Sequence, residues 1–404
     1  MSRVISGRSL PGEFYHDREI FEMDMQRIFR RCWLYAGHES RIPERGDFFT
    51  WQIDRDSLII TRGRDGEINA LFNSCRHRGS IICTEPFGRA VKLICPYHQW
   101  AYDTDGSLTS ARLMPDDFDK SQFALARAHV RTLEGLIFVC LSAEPPPFEL
   151  FSEAMLPRLL AHELTEARVC HQKEYSVDAN WKLVAENSRE CYHCGAGHPQ
   201  YVKAVGFAAA IGSKLLAAED RAQEEARQAR LSACNLDPSP VPFAGDSWYH
   251  CRRFYLRDEF LTESLDGKPV APLMGRVPGY EAGVLAVVTL PNLLLEVCPD
   301  YAVTLRVTPS GPLTTRVNVE WLVHKNALEN TDFNLDRLTA FWRLTGEQDW
   351  KLCADNQLGV NSSAYRPGPY GPDETGVRHF VDWYLQRLIQ TDPAAHSMAL
   401  AGAQ

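Results

Sequence analysis

The chain has 404 residues, beyond the size at which a single hydrophobic core stops growing, so two domains are expected. Its 45% hydrophobic and 24% charged residues match an ordinary globular protein rather than a disordered or fibrous one. A formal net charge of -9 argues against nucleic-acid binding, and the longest apolar run, GVLAVVTLPNLLLEV, is broken at Pro291 and Asn292 and too short to span a bilayer.

The opening MSRVISGRSLPGEFYHD has no continuous apolar stretch and does not read as a signal peptide. A soluble, cytoplasmic protein without a membrane or nucleic-acid partner is expected. Twelve cysteines in such a chain are expected to be mostly reduced, some of them metal ligands.

In chain order, REIFEMDMQRIFRRCW has helical spacing. From about 45 to 145 the chain reads as short strands: DFFTWQI, SLIITRG, INALFNSC, KLICPYH, WAYDTDG and GLIFVCLS, separated by Gly, Asp and Pro turns. AEPPPFE, with three consecutive prolines, marks a domain edge. Beyond it FSEAMLPRLLAHE, NWKLVAENSRECYHC, FNLDRLTAFWRLTGEQDWKLCADNQ and ETGVRHFVDWYLQRLIQ return to helical spacing. Between these lie VLAVVTLPNLLLEV, YAVTLRVTP and TRVNVEWLVH, which suit an antiparallel sheet with helices against it. AAEDRAQEEARQARLSACNLDPSP is charged, then loop-like, and reads as a mobile cover. No glycine-rich phosphate loop occurs, so no flavin or nicotinamide domain is expected.

The expected fold is therefore α+β. A small all-β domain at 45–145 is set into a larger domain at 146–404, whose antiparallel sheet is flanked by helices and to which the helical residues 1–44 belong.

The β-rich region carries Cys75-x-His77 and Cys95-x2-His98. Zinc fingers usually pair two cysteines and then two histidines. One thiolate and one imidazole at each of two loop tips suit a Rieske [2Fe–2S] centre instead, Cys75 and Cys95 on one iron and His77 and His98 on the other. Gly79 and Pro96 suit tight loops around it, and Tyr97 and Trp100 are placed to shield it from water. Cys83 has no mate in the second loop, so no disulfide is expected there.

The second concentration of ligands is ECYHCGAGH, residues 190–198. A helix over 180–194 would put Glu190 and His193 one turn apart on one face, with Cys191 and Cys194 pointing away. Gly195 and Gly197 would let the chain break and swing His198 back. Two histidines and a distant carboxylate form the facial triad of non-haem Fe(II), with positions left open for O2. Zinc held by Cys191, His193, Cys194 and His198 is the competing arrangement. The carboxylate must come from TGEQDWKLCADNQLGVNSS, where Asp349 and Asp355 are the main candidates and Glu347 a lesser one.

NSCRHRGSIIC, CPYHQWAYDTDGSL, NWKLVAENSRECYHCGAGHP and NQLGVNSSAYRPGPYGPDETGVRHFVDWY together resemble the α subunit of Rieske non-haem iron oxygenases, over roughly residues 10–390. The likeness is strongest to the glycine betaine demethylase and choline monooxygenase branch. In that branch the third iron ligand lies eight positions before a glutamine, here Gln357, which implies Asp349 and not Asp355. The resemblance also implies an acid that bridges the two centres, here Glu190, bonded to His193 and to His98 of a neighbouring subunit in a head-to-tail homotrimer. It implies O2 as co-substrate, and NAD(P)H only through a separate flavin and iron–sulfur reductase.

The implied reaction is N-demethylation of a betaine-like quaternary ammonium compound, through a hemiaminal, with release of formaldehyde. Hydroxylation of an aromatic acid or arene is the alternative. A quaternary ammonium calls for aromatic rings, since cation–π attraction replaces the hydrogen bonds it cannot make. Phe207, Trp248, Tyr249, Phe254 and Tyr255 lie in the segment expected to line the pocket.

Overall fold

A computed structural model of the chain describes residues 4–205, 218–233, 237–277 and 279–389. Asp17 opens the first α-helix, Arg18–Asp24, by accepting from the backbone N–H groups of Glu19 and Ile20 at 2.8 and 3.0 Å. One wider turn, Met25–Phe29, continues it.

Ten strands follow: β1 (Leu34–His38), β2 (Asp47–Ile53), β3 (Asp56–Arg62), β4 (Ile68–Phe72), β5 (Phe87–Arg89), β6 (Leu93–Ile94), β7 (Ala101–Tyr102), β8 (Leu108–Ser110), β9 (Arg127–Leu133) and β10 (Leu136–Cys140). Seven of them form one sheet in the order β1-β10-β9-β4-β3-β2-β5, and β6, β7 and β8 form a small second sheet. Every residue of β1 and β10 is buried, because these strands also pack on the rest of the molecule. β1 lies before residue 45 yet pairs with β10, Leu34 opposite Val139.

The larger sheet-and-helix unit contains β11 (Ala167–Val177), β12 (Tyr249–Phe254), β13 (Val284–Thr289), β14 (Leu293–Val297), β15 (Ala302–Gly311) and β16 (Thr314–His324). They pair antiparallel in the order β11-β16-β15-β14-β13-β12. Asn292, between β13 and β14, joins the two units: its side chain accepts from the Tyr35 N–H at 2.9 Å and donates to the Tyr35 carbonyl at 3.0 Å. The backbone of β1 is thereby satisfied across the boundary.

Three helices carry the site: Trp181–Asn187, Leu335–Val360 and Thr375–Ile389. Trp181 packs edge-on against Phe29, Phe380 and Tyr384. Buried Asp24 ties these elements together, accepting from Trp181 Nε1 at 2.9 Å, from the Tyr384 hydroxyl at 2.8 Å and from Lys182 Nζ. The N-terminal helix therefore packs with the larger unit. Gln357 sets the register of the long helix: its Oε1 accepts from the Asn180 N–H at 2.7 Å, at the cap of the helix that leads to the ligand motif.

The α+β class, with an antiparallel sheet and helices against it, is as expected. β11 and β12 are additions to the strands expected, and most of the supposed mobile cover is a helix, Ala218–Ala233, with Leu231 buried against Tyr255 and Ala282. Among the described residues no helix is long and apolar enough to cross a membrane.

Candidate metal centres and substrate cavity

The loops after β4 and β6 meet at one end of the smaller unit. Each closes on its cysteine: the Gly79 N–H donates to the Cys75 carbonyl at 2.8 Å and the Gln99 N–H to that of Cys95 at 3.0 Å. Both turns reverse through positive φ, 77° at Gly79 and 60° at Gln99. Cys75 and Cys95 are buried, His77 is exposed, and the two imidazole rings lie 4.6 Å apart.

This arrangement fits a two-iron cluster. A single zinc ion would draw four donors to within about 4 Å of one another, given bonds of about 2.0–2.3 Å. Here the two buried thiols pair with each other and the two outer imidazoles with each other, which suits two cysteines on one iron and two histidines on the other. Burial pushes the Cys95 thiol up, but backbone N–H groups of Tyr97 and His98, with the Cys75 and Ser80 side chains, more than offset it, bring it below the usual thiol range and favour the thiolate. Trp100 is buried beneath His77, stacked at 4.8 Å. Tyr97 is not a shield: it stands 56% exposed at the tip, against His98.

The second centre is drawn from two segments. His193 Nε2, His198 Nε2 and Asp349 Oδ1 form a triangle with sides of 3.1, 2.9 and 3.2 Å. Bonds of about 2.1 Å to one ion, at right angles, put neighbouring donors about 3.0 Å apart, so the triangle fits one face of an octahedral iron. The remaining ring nitrogens are also engaged. His193 Nδ1 lies 2.6 Å from Glu190 Oε1, and His198 Nδ1 lies 2.8 Å from Gln348 Oε1. Gln200 donates to that same Gln348 oxygen at 2.7 Å and holds it in place. Each Nδ1–H donation leaves the Nε2 lone pair facing the triangle.

The electrostatics suit a cation. Burial alone would raise the Asp349 carboxyl, but the bonds from His193 and His198 bring it below the usual carboxylate range. Burial would lower His193; its bonds to Asp349 and Glu190 instead push it up to about 9. A divalent ion would replace protons that these groups otherwise hold.

The local backbone departs from the continuous helix expected over 180–194. That helix ends at Asn187, and a separate short one spans Cys194–Gly197. Glu190 meets His193 because its carboxylate caps this turn, accepting from the backbone N–H groups of Tyr192 and of His193, the latter at 3.3 Å. The chain breaks before the glycines, not at them. Gly197 packs closely on the long helix: a Cβ there would sit 3.1 Å from Leu352 Cδ1, which would have to shift slightly. Nor does Cys194 point away, since its sulfur is 3.8 Å from His193 Nε2. It is bonded to Cys191 in a disulfide, whereas the other nine described cysteines are free, in keeping with a mostly reduced chain. Asp355 is exposed and paired with Lys351, and Glu347 pairs with Lys173, so neither approaches the triangle. Cys83 is free, as expected.

The triangle opens on a cavity of about 440 Å³ between the helices and the face of β12–β15. Tyr201, Phe243, Trp342 and Trp350 supply its aromatic walls, with Arg189, Arg252 and Glu296 among its charged ones. The four described aromatics expected in the lining lie elsewhere. Trp248 and Tyr249 pack on Phe151, while Phe254 and Tyr255 are buried in hydrophobic clusters. Phe207 lies outside the described residues.

Two family models match the chain: the Rieske [2Fe-2S] domain over residues 32–125, and the ring hydroxylating alpha subunit (catalytic domain) over 164–390. The chain is 37% identical over 408 residues to the glycine betaine monooxygenase oxygenase subunit of Pseudomonas aeruginosa, covering 98% of this chain and 93% of that one. It belongs to the Rieske ring-hydroxylating α-subunit family. The corresponding subunit of Chromohalobacter salexigens is also 37% identical, over 96% of this chain and 88% of that one. The same fold occurs in the quaternary ammonium Rieske monooxygenase CntA, with a TM-score of 0.72, 20% identity and coverage of 95% and 96%. Naphthalene 1,2-dioxygenase shares it equally well, with a TM-score of 0.72, 21% identity and coverage of 97% and 94%. As a Rieske non-haem iron oxygenase, this α subunit uses a [2Fe–2S] cluster, a mononuclear iron and O2, and acts on a small molecule with electrons from a reductase.

Proposed function

We propose that this α subunit removes an N-methyl group from a betaine-like quaternary ammonium compound. The observation that carries this reading is the near full-length identity to glycine betaine monooxygenase subunits, combined with a cavity whose aromatic and acidic walls adjoin the His193–His198–Asp349 triangle. Cys75, Cys95, His77 and His98 would hold the cluster, and His193, His198 and Asp349 the mononuclear iron. Bound iron supplies activation of O2 at the open side of the triangle.

The protein's own groups orient and enclose. Glu190 and Gln348 fix both ligand imidazoles, while Tyr201 and Trp342 offer ring surfaces to a cation that cannot accept or donate a conventional hydrogen bond. Hydroxylation of one methyl group consumes O2, two electrons and two protons and forms water. The resulting N-hydroxymethyl group collapses to formaldehyde and the demethylated amine.

A flavin and iron–sulfur reductase drawing on NAD(P)H would supply the electrons. We assign the chain to a cytoplasmic head-to-tail homotrimer, residues 45–145 with β1 forming the Rieske domain and the rest of 1–44 with 146–404 the catalytic one, in which Glu190 also meets His98 of a neighbouring subunit. Ile94, Tyr97 and Leu113, exposed on the smaller unit, support a subunit contact there, since exposed apolar groups in one region favour an interface. The deciding experiment supplies a surrogate reductase and scores formaldehyde from methylated amines. One formaldehyde per electron pair supports the assignment; an arene diol with no turnover of any methylated amine overturns it.

A further inference from the structure

The charged groups of the cavity are unevenly distributed. Arg189 lies just before the ligand motif, its backbone carbonyl so close to Gly376 that a Cβ there would stand 2.4 Å away. Its Nε and Nη1 are buried without a hydrogen-bond partner. Burial lowers its basicity to about 9, and no carboxylate is close enough to offset this. Burial and the charges of Arg252, Arg189 and His379 together hold His250 down to about 3, which places the guanidinium toward β12 and the last helix. The Arg189 guanidinium thus lines the cavity with two of its nitrogens buried and unpartnered.

Glu296 occupies another part of the lining. Burial and the Glu263 carboxyl raise it well above the usual carboxylate range, Arg252 only partly opposing them, so that a bound cation would favour its ionised form. It lies in one cross-strand row with Arg252 and Ala286, and its Oε2 is buried without a partner. Tyr201 senses both Glu296 and Asp349, and Tyr201 and Trp342 line the same wall, their rings 6.3 Å apart. The acid and the rings therefore stand on the same side of the cavity as the iron ligand Asp349. A buried unpaired guanidinium is costly unless a ligand completes it.

We propose that this cavity selects zwitterions: Arg189 takes the carboxylate of the substrate, while Glu296, Tyr201 and Trp342 seat its methylated ammonium beside the iron ligands. This rests on the demethylase reading and deepens it, because a carboxylate fixed at Arg189 turns the methyl groups toward the triangle. A guanidinium binds a carboxylate through two parallel N–H donors, which gives direction as well as affinity. Choline, with a hydroxyl in place of the carboxylate, lacks the group that Arg189 would hold. Substrate preference among methylated amines is thereby assigned to a residue four positions before the first iron histidine.

The test is isothermal titration of the anaerobic, iron-loaded holoenzyme with three probes: glycine betaine, choline, and 3,3-dimethylbutanoate, the uncharged-carbon isostere of glycine betaine. Arg189→Gln should weaken glycine betaine and 3,3-dimethylbutanoate by about 10–100-fold and leave choline within about twofold. Arg189→Lys, which keeps the charge without the fork and guards against loss of fold, should recover part of the betaine affinity. Glu296→Gln should weaken glycine betaine and choline by similar factors and spare 3,3-dimethylbutanoate. Equal loss of betaine and choline in Arg189→Gln, or no loss of either, overturns the assignment. If the wild-type protein demethylates glycine betaine but Arg189→Gln binds it unchanged, only this inference fails. If the wild-type protein neither binds nor demethylates any methylated amine, the demethylase reading fails and this one with it.

Discussion

Glu190 Oε1 lies 2.6 Å from His193 Nδ1, so the imidazole that turns its Nε2 to the iron triangle is held from behind by a carboxylate. The other carboxylate oxygen of Glu190 caps the turn beneath that histidine. Glu190→Gln should keep both metals, since an amide oxygen can still accept from Nδ1. It should slow oxidation of the reduced Rieske cluster by about 10–100-fold when substrate and O2 are supplied, the usual scale for outer-shell partners of metal histidines. Single-turnover absorption kinetics measure this; an unchanged rate means that Glu190 only shapes the turn.

Asp349→Ala should lose the mononuclear iron and all turnover while the visible Rieske spectrum survives, because Asp349 is the carboxylate paired with His198 among the described residues. Asp355→Ala, which removes only an exposed bond to Lys351, should change stability by about 0.5 kcal/mol or less and keep its iron. Iron analysis beside the absorption spectrum separates the two. Reversed behaviour would show that the long helix is read one or two turns out of place.

Intact protein should contain two irons and two labile sulfides for the cluster, together with one mononuclear iron. His77→Cys should lower the cluster's reduction potential, because a thiolate adds negative charge where a neutral imidazole stood. Redox titration followed by absorption gives the sign directly. A raised potential would remove His77 from the ligand set.

Lys182 and Asp24 form an ion pair with both side chains fully buried. Lys182→Met should leave the Asp24 carboxylate without its cation and cost about 3–5 kcal/mol. Replacing both residues, by Lys182→Met with Asp24→Asn, should recover much of this, because the amide can still meet Trp181 and Tyr384. Denaturant midpoints of the two variants against wild type measure the difference.

Burial pushes the Glu186 carboxyl up to about 7, with the Tyr15 hydroxyl at 2.9 Å and the Lys182 charge only partly opposing it. The folded protein thus keeps a proton that the unfolded chain loses near pH 4.3. The associated stability is fully present below that pH and is lost as pH rises toward 7, by on the order of 3–4 kcal/mol. Glu186→Gln should flatten this decline. Denaturation curves of both proteins at pH 5 and pH 8 show whether it does.

The metal ligands were legible because most of them are close in sequence. Cys75 and His77, Cys95 and His98, and His193 and His198 each sit within one loop or turn, where spacing and residue type carry the chemistry. Asp349 was not legible from spacing, since it joins His198 across 151 positions; resemblance alone singled it out from Asp355 and Glu347. The one-turn relation of Glu190 to His193 was right in distance but wrong in cause, a capping carboxylate having replaced the helix.

The cavity walls were the least legible part. Aromatic content drew attention to Trp248, Tyr249, Phe254 and Tyr255, but a strand turns alternate residues to opposite sides. In β12 His250 and Arg252 face the cavity and Tyr249 packs on Phe151. Alternation from a correctly placed β12 separates His250 and Arg252 from Tyr249, but it leaves Phe254 on their side, and only packing buries that ring in the core. Tyr201, Trp342, Glu296 and Arg189 converge from four separate elements or loops, and no local pattern marks such a meeting.

The triangle also orders assembly in time. Its histidines end at residue 198 and its carboxylate waits at 349, so β12 through β16 lie entirely within the loop that a metal ion would close. Pairing of those five strands, with docking of the long helix through Gln357, holds the donors together without any bond to a metal. Metal insertion is then a finishing event on a sheet already built. An iron-starved cell would accumulate folded scaffold, open to reconstitution, rather than unfolded chain.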